Sequence, residues 1–180
     1  MPDFDPLSFL VMNTSNPALD RAYRVAMGDL ISNVRPYRDG LLDEPQPVLL
    51  AGLDYNTPWT RDAAINAWNG VGLIWPATTR NTLLSVLENT PDGLQIGGQY
   101  WDAIIWTLGA WAYYLYSGDR EFLGQALLAT SNSLEKLEVN EFDARFGLFR
   151  GPAVYGDGVS AYPDCYSPGG TSSILDWVAR

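Results

Sequence analysis

Stretches of helical periodicity alternate along the chain with connections rich in proline, glycine and aspartate. Asn16-Pro17 joins an N-cap residue to a proline suited to the first helical position. It predicts a helix with Tyr23, Ala26, Leu30 and Ile31 on or near one face, ending before Pro36. Val34 to Leu53 reads as loop, with a possible short strand at Val48-Leu49-Leu50. Thr57-Pro58 repeats the cap signal. The helix it opens carries Ala63, Ala64, Ala67, Trp68 and Val71 until Trp75-Pro76 breaks it, and a third helix carries Leu83, Leu84, Val86 and Leu87. Asn89-Thr90-Pro91-Asp92-Gly93 is a turn. In the clearest helix, Trp101, Ile104, Ile105, Leu108, Ala112 and Leu115 recur at i, i+3, i+4, i+7, i+11 and i+14. Ser117-Gly118-Asp119 closes it and caps the next helix, where Leu123, Ala126, Leu127, Thr130, Leu134 and Leu137 share a face.

Val139 to Gly170 is irregular, with a possible short strand at Gly147-Leu148-Phe149-Arg150-Gly151. A further helix begins at Thr171-Ser172-Ser173 and is still apolar at Trp177-Val178 when the sequence reaches Arg180. The pattern predicts an all-α chain, a single domain over residues 1–180, cut inside an amphipathic helix so that an apolar face lacks its partner. Short links such as Gly118 make antiparallel helical hairpins. The long links at 34–57, 88–99 and 138–170 exceed what a connector needs and are expected to carry function.

Composition narrows the chemistry. The chain has no histidine, which excludes Ser-His-Asp and Cys-His nucleophile systems and the usual zinc sites within it. Cys165 is the only cysteine, so no internal disulfide or thiolate metal cluster forms, and no metal or other cofactor is expected. Acid and base work falls to carboxylates or tyrosines. A formal charge of -10 argues against nucleic acid and against an anionic membrane surface. No apolar run approaches a membrane span. Met1-Pro2-Asp3-Phe4-Asp5 lacks the basic start and apolar core of a signal peptide, which favours the cytoplasm unless the N-terminus has been trimmed. Seven Trp and ten Tyr suit core packing, and carbohydrate clefts draw on the same residues.

Tyr55-Asn56-Thr57-Pro58-Trp59-Thr60-Arg61-Asp62 concentrates that chemistry. Aromatic faces stack on sugar rings, and an Arg/Asp pair offers neighbouring hydroxyls a donor and an acceptor. The structural alternative is that Asp62 complements the helix dipole, Arg61 makes a local ion pair and Trp59 is core. Two further motifs are Gly98-Gln99-Tyr100-Trp101-Asp102, opening the helix that follows the turn, and Tyr116-Ser117-Gly118-Asp119-Arg120-Glu121-Phe122-Leu123.

Through these three segments the chain resembles the six-hairpin glycosidases, in their glucoamylase and glycogen-debranching branches. Tyr55-x-x-x-Trp59-Thr60-Arg61-Asp62 looks like the Y-x-x-x-W-T-R-D sugar-binding element. The Gly98 to Asp102 segment is similar to the family's aromatic and acidic helix entry, and Gly118-Asp119 to its G-D-x-x-F/L link. The likeness covers about residues 16 to 180; Asn56-Thr57-Pro58 departs from the aromatics that glucoamylases favour there.

The resemblance implies a toroid of helical hairpins, represented by the N-terminal half of an (α/α)6 barrel, with the C-terminal half as packing partner. It implies a glycoside hydrolase acting on oligo- or polysaccharide, on α-glucosidic linkages foremost, by an inverting carboxylate mechanism. Arg61 and Asp62 would bind hydroxyls of the sugar beside the cleaved bond, Tyr55 would flank that sugar and Trp59 would form the adjoining wall. Trp101 and Asp102 would share the rim, although Trp101 also fits the apolar stripe and Asp102 a first-turn dipole role. The general acid would lie in the connection from Val139 to Gly170. Asp157, in a Gly-rich apolar setting that would raise a carboxyl pKa, is the first choice, and Asp164 the second. An Asp-Gly turn is the plainer account of Asp157. The base would lie beyond Arg180. Alternatives are a non-catalytic carbohydrate-binding toroid, a sugar epimerase, a polysaccharide lyase or a plain helical scaffold.

Overall fold

The computed structural model describes residues 11–98 and 100–149. Helix α1 spans Pro17–Ser32, and the Asn16 side chain accepts from the Ala18 amide as the cap signal predicts. The next segment, expected as loop with a possible short strand at Val48-Leu49-Leu50, holds two strands. Strands β1 (Val34–Tyr37) and β2 (Gln46–Leu49) pair antiparallel, with Pro36 opposite Pro47. Helix α2 (Thr60–Asn66) runs through a π-helical turn at Ala67–Val71 into α3 (Gly72–Ile74). Gly70, at φ 113°, permits that turn's distortion. Pro76 then opens α4 (Pro76–Leu84), which stops before Val86 and Leu87.

Leu87 starts a second hairpin, β3 (Leu87–Thr90) and β4 (Gly93–Ile96), turned at Pro91-Asp92 where the Asn-Thr-Pro-Asp-Gly signal lies. Helices α5 (Tyr100–Ser117) and α6 (Arg120–Glu141) form the expected antiparallel hairpin about Gly118, at φ 68°. Asp119 caps α6 through the Phe122 amide. A last pair, β5 (Phe142–Asp143) and β6 (Leu148–Phe149), follows α6.

The expected all-α toroid, an incomplete (α/α)6 barrel, is therefore corrected. Three two-stranded antiparallel sheets stand among the helices, and the described residues are mixed α/β. The physical reason is visible in the links. Leu87 and Val48 bury their side chains completely, so these short strands belong to the core rather than to solvated loops. The first hairpin is pinned to α4, where the Leu49 amide donates to Thr82 Oγ1 at 2.9 Å and Asn81 Nδ2 to the Pro47 carbonyl at 3.2 Å. The second is pinned to α6, whose Ser133 Oγ accepts from the Ile96 amide and whose Asn132 donates to the Leu94 carbonyl.

The core joins Ala64, Leu83, Leu87, Trp106, Ala110, Tyr113, Phe122 and Ala129. Trp106 is fully buried with its indole N–H on the Leu83 carbonyl at 3.1 Å, which satisfies its polar atom. Phe122 packs edge-on to Tyr113 with ring centroids 4.7 Å apart. The expected face of α5 is met only in part: Ile105 and Ala112 are buried, but Ile104, Leu108 and Leu115 are 40%, 45% and 62% exposed, and Ala103, Trp106, Ala110 and Tyr113 are buried in their place. On α6 the inward face is Phe122, Ala126, Ala129 and Ser133, and Leu127 and Leu134 are exposed. No helix among the described residues is long and apolar enough to cross a membrane.

Candidate functional site

The starts of α2 and α5 lie side by side because Gly109 removes the obstacle between the helices. A Cβ there would come within 2.5 Å of Ala64 Cα and 2.6 Å of the Ala64 carbonyl oxygen. That approach sets Arg61 Nε 3.2 Å from Asp102 Oδ1, with Asp102 buried. Thr60, also buried, donates its hydroxyl to the Gly97 carbonyl at 2.9 Å and ties the start of α2 to the chain entering α5. Gly98 is at φ 104°, and a Cβ there would strike the Asp102 carboxylate and come within 3.0 Å of Thr60 Oγ1. Only a residue without a side chain fits that conformation and that contact.

The helix start itself differs from the cap predicted at Thr57. Pro58 is fully buried, Trp59 occupies the N-cap position and Thr60 is the first helical residue. Trp59 is the only non-glycine at positive φ among the described residues, at φ 51° and ψ 136°. That conformation costs of order 1–3 kcal/mol for a side chain with a Cβ. Trp59 is 53% exposed and stands outside the core cluster, so core packing of its side chain does not account for the strain.

Trp59 lines a cleft of about 190 Å³ with Tyr37, Asp39, Thr57, Glu88 and Gly98. Each wall has a local cause. Gly40, at φ 60°, lies so close to the carbonyls of Leu84, Ser85 and Leu87 that a Cβ would be 2.6–2.7 Å from them. The Leu41 amide donates to the Leu84 carbonyl at 3.1 Å, which fixes the loop carrying Asp39 at the end of α4. Asp39 accepts from the Gly40 amide and, at 3.3 Å, from the Tyr37 hydroxyl. Glu88 is the exposed residue after Leu87 in β3.

Of the residues expected at a site, Trp59 lines the cleft, while Arg61 pairs with Asp102, which packs against Gly98, and neither member of the pair is in the cleft lining. Asp62 lies in the first turn of α2 and Trp101 in that of α5. Tyr55 is exposed in the turn whose amide returns to the Gly52 carbonyl, with its ring against Gly52 rather than in the cleft lining. Asp157 and Asp164 lie outside the described residues. Tyr37, Asp39 and Glu88 escaped sequence reasoning because their links read as irregular loop. The adjacent Gly97-Gly98 was the available signal for a close backbone approach.

No family model, curated protein or solved structure matches this chain. The functional reading consequently rests on the site's own chemistry. An exposed indole beside a small cleft offers a flat apolar face, and the groups around it supply acceptors and hydroxyls: Asp39, Glu88, Tyr37 and Thr57. The Arg61–Asp102 pair stands immediately behind the Gly98 wall. A second arginine–aspartate pair at the other end of α5 has a different setting. Burial by itself would push the Asp119 carboxyl up, but the Phe122 amide, Arg80 and the Tyr113 hydroxyl together hold it below its ordinary value. Burial first, and then the charge of Asp119, push the Tyr113 hydroxyl up.

Proposed function

We propose that this protein acts on carbohydrate as a glycoside hydrolase, with the cleft beside Trp59 as its sugar site. The observation that carries the reading is the strained, half-exposed Trp59 at the cleft wall, backed by the Arg61–Asp102 pair. A sugar ring has an apolar face for the indole and hydroxyls that both donate and accept, which matches the mixture of aromatic, carboxylate and hydroxyl groups there. The Arg61–Asp102 pair backs the cleft wall at Gly98 and holds the start of α2 against α5. Hydrolysis with inversion needs two carboxyl groups roughly 6.5–9.5 Å apart, one protonating the leaving oxygen and the other activating water. Asp157 is assigned as the proton donor, with Asp164 as its substitute.

The test is calorimetry of α- and β-linked gluco-oligosaccharides against the chain and Trp59→Ala, with release of reducing sugar followed for Asp157→Asn in the protein that carries both carboxyl groups. Sugar binding should weaken at least tenfold in Trp59→Ala, and turnover should fall by more than a hundredfold in Asp157→Asn. Equal binding by Trp59→Ala would remove the sugar site. Binding that depends on Trp59 with no release of reducing sugar from any glycan would leave a carbohydrate-binding protein without turnover.

A further inference from the structure

A larger cleft, of about 480 Å³, opens on the other side of the Gly97-Gly98 segment. Glu88, Gly97 and Gly98 line both clefts, so the two share one wall. Neither glycine of that wall has room for a side chain. A Cβ at Gly97 would come within 3.0 Å of Glu88 Cδ and 2.9 Å of the Val86 carbonyl oxygen. Helix α6 forms the far side with Ser133, Lys136, Leu137 and Asn140, and Ala103 and Ile96 supply apolar surface. The Lys136 ammonium is held in place by the Gln95 side chain, with Nζ 2.9 Å from Oε1.

We propose that the two clefts are one extended groove, and that its ligand is a neutral oligosaccharide of at least two residues, the second held at Lys136. The inference rests on the carbohydrate reading above and specifies its ligand. Continuity argues for it: the cleft beside Trp59 is by itself below the roughly 300–1,000 Å³ of small-molecule sites, and it shares Glu88, Gly97 and Gly98 with a cleft that is within that range. Charge argues for a neutral ligand. Lys136 is flanked by Glu88 and Glu141 in the same lining, so a phosphate or uronate would meet more negative than positive charge there. Hydroxyl groups can satisfy the ammonium and the carboxylates alike, and the apolar strip of Ile96 and Ala103 suits the flat face of a ring.

Calorimetry with glucose, maltose and maltotetraose, and with their β-linked counterparts, separates this inference from the reading beneath it. Affinity should rise at least tenfold from monosaccharide to tetrasaccharide. Lys136→Ala should return the tetrasaccharide to the monosaccharide's affinity and leave monosaccharide binding unchanged. Lys136 is half exposed and lines only the larger cleft, so its replacement leaves the fold and the Trp59 cleft intact. Affinity independent of length, or length dependence that survives Lys136→Ala, overturns the groove even though Trp59→Ala still abolishes binding. No binding of any member of the series overturns the carbohydrate reading and the groove with it.

Discussion

Both ends of α5 set an aspartate against an arginine Nε, at 3.2 Å for Asp102 with Arg61 and 3.0 Å for Asp119 with Arg80. Their surroundings differ. Asp119 caps α6 through the Phe122 amide, accepts from the Tyr113 hydroxyl at 3.3 Å, and stands beside the edge-on contact of Tyr113 with Phe122. The cap closes the first turn of α6, and the two aromatic contacts join α5 to α6. Asp102 stands instead behind a glycine at positive φ, next to a cleft and a tryptophan whose backbone is strained. The same ion pair is thus a joint at one end and the backing of a surface hollow at the other. Strain with no packing return marks the second end as the place to look for function.

The comparison breaks most directly in the core beneath Asp119. Phe122 is completely buried between Trp106 and Tyr113, so Phe122→Ala should cost about 3–5 kcal/mol. Urea unfolding would measure it. If that end is the structural one, the loss appears as a lower midpoint with glycan affinity retained below it. A cost under about 1 kcal/mol would mean that the aromatic cluster is not what holds α5 to α6.

Charge gives a smaller and pH-dependent effect. Asp119→Ala removes an N-cap, worth about 0.5–2 kcal/mol at neutral pH. The folded carboxyl titrates below its ordinary value, so its contribution is complete above the unfolded pKa and is lost as pH falls through the folded one. Stability of the parent should therefore drop faster than that of Asp119→Asn as acid is added below about pH 4, because asparagine still caps the helix without titrating. Parallel acid curves for the two proteins would show that Asp119 is not held by its partners.

These two ends were not equally legible in the sequence. Gly118-Asp119 reads directly as a helix stop and the next cap, because both jobs are local to a few residues. The Asn16 cap and the turn before Gly93 are local in the same way. The buried face of α5 is not, since Ile104, Leu108 and Leu115 are as apolar as Trp106, Ala110 and Tyr113. A helix that is apolar all round carries no phase by which to choose a side. The hairpins were hidden for a related reason: Pro36 and Pro47 read as loop, yet they face one another across β1 and β2. At the candidate site the residue types of Trp59, Arg61 and Asp102 were readable. The backbone of Trp59 and the cleft walls from Asp39 and Glu88 depend on long-range packing of β1, β3 and α4, which no local pattern encodes.

The smallest effect sharpens the comparison furthest, because its sign is unusual. Replacing Trp59 by glycine removes the penalty of positive φ, offset in part by the greater freedom glycine gains in the unfolded chain. Trp59 is half exposed and stands outside the hydrophobic core cluster, so Trp59→Gly should raise stability by about 1 kcal/mol and Trp59→Ala should leave it nearly unchanged. Both variants should lose sugar affinity, since both lose the indole. A position at which stability rises as binding is lost is being held against the preference of the fold, as residues serving a ligand are. Should Trp59→Gly destabilise the protein instead, the indole would be packing for the fold, and the two ends of α5 would be joints alike.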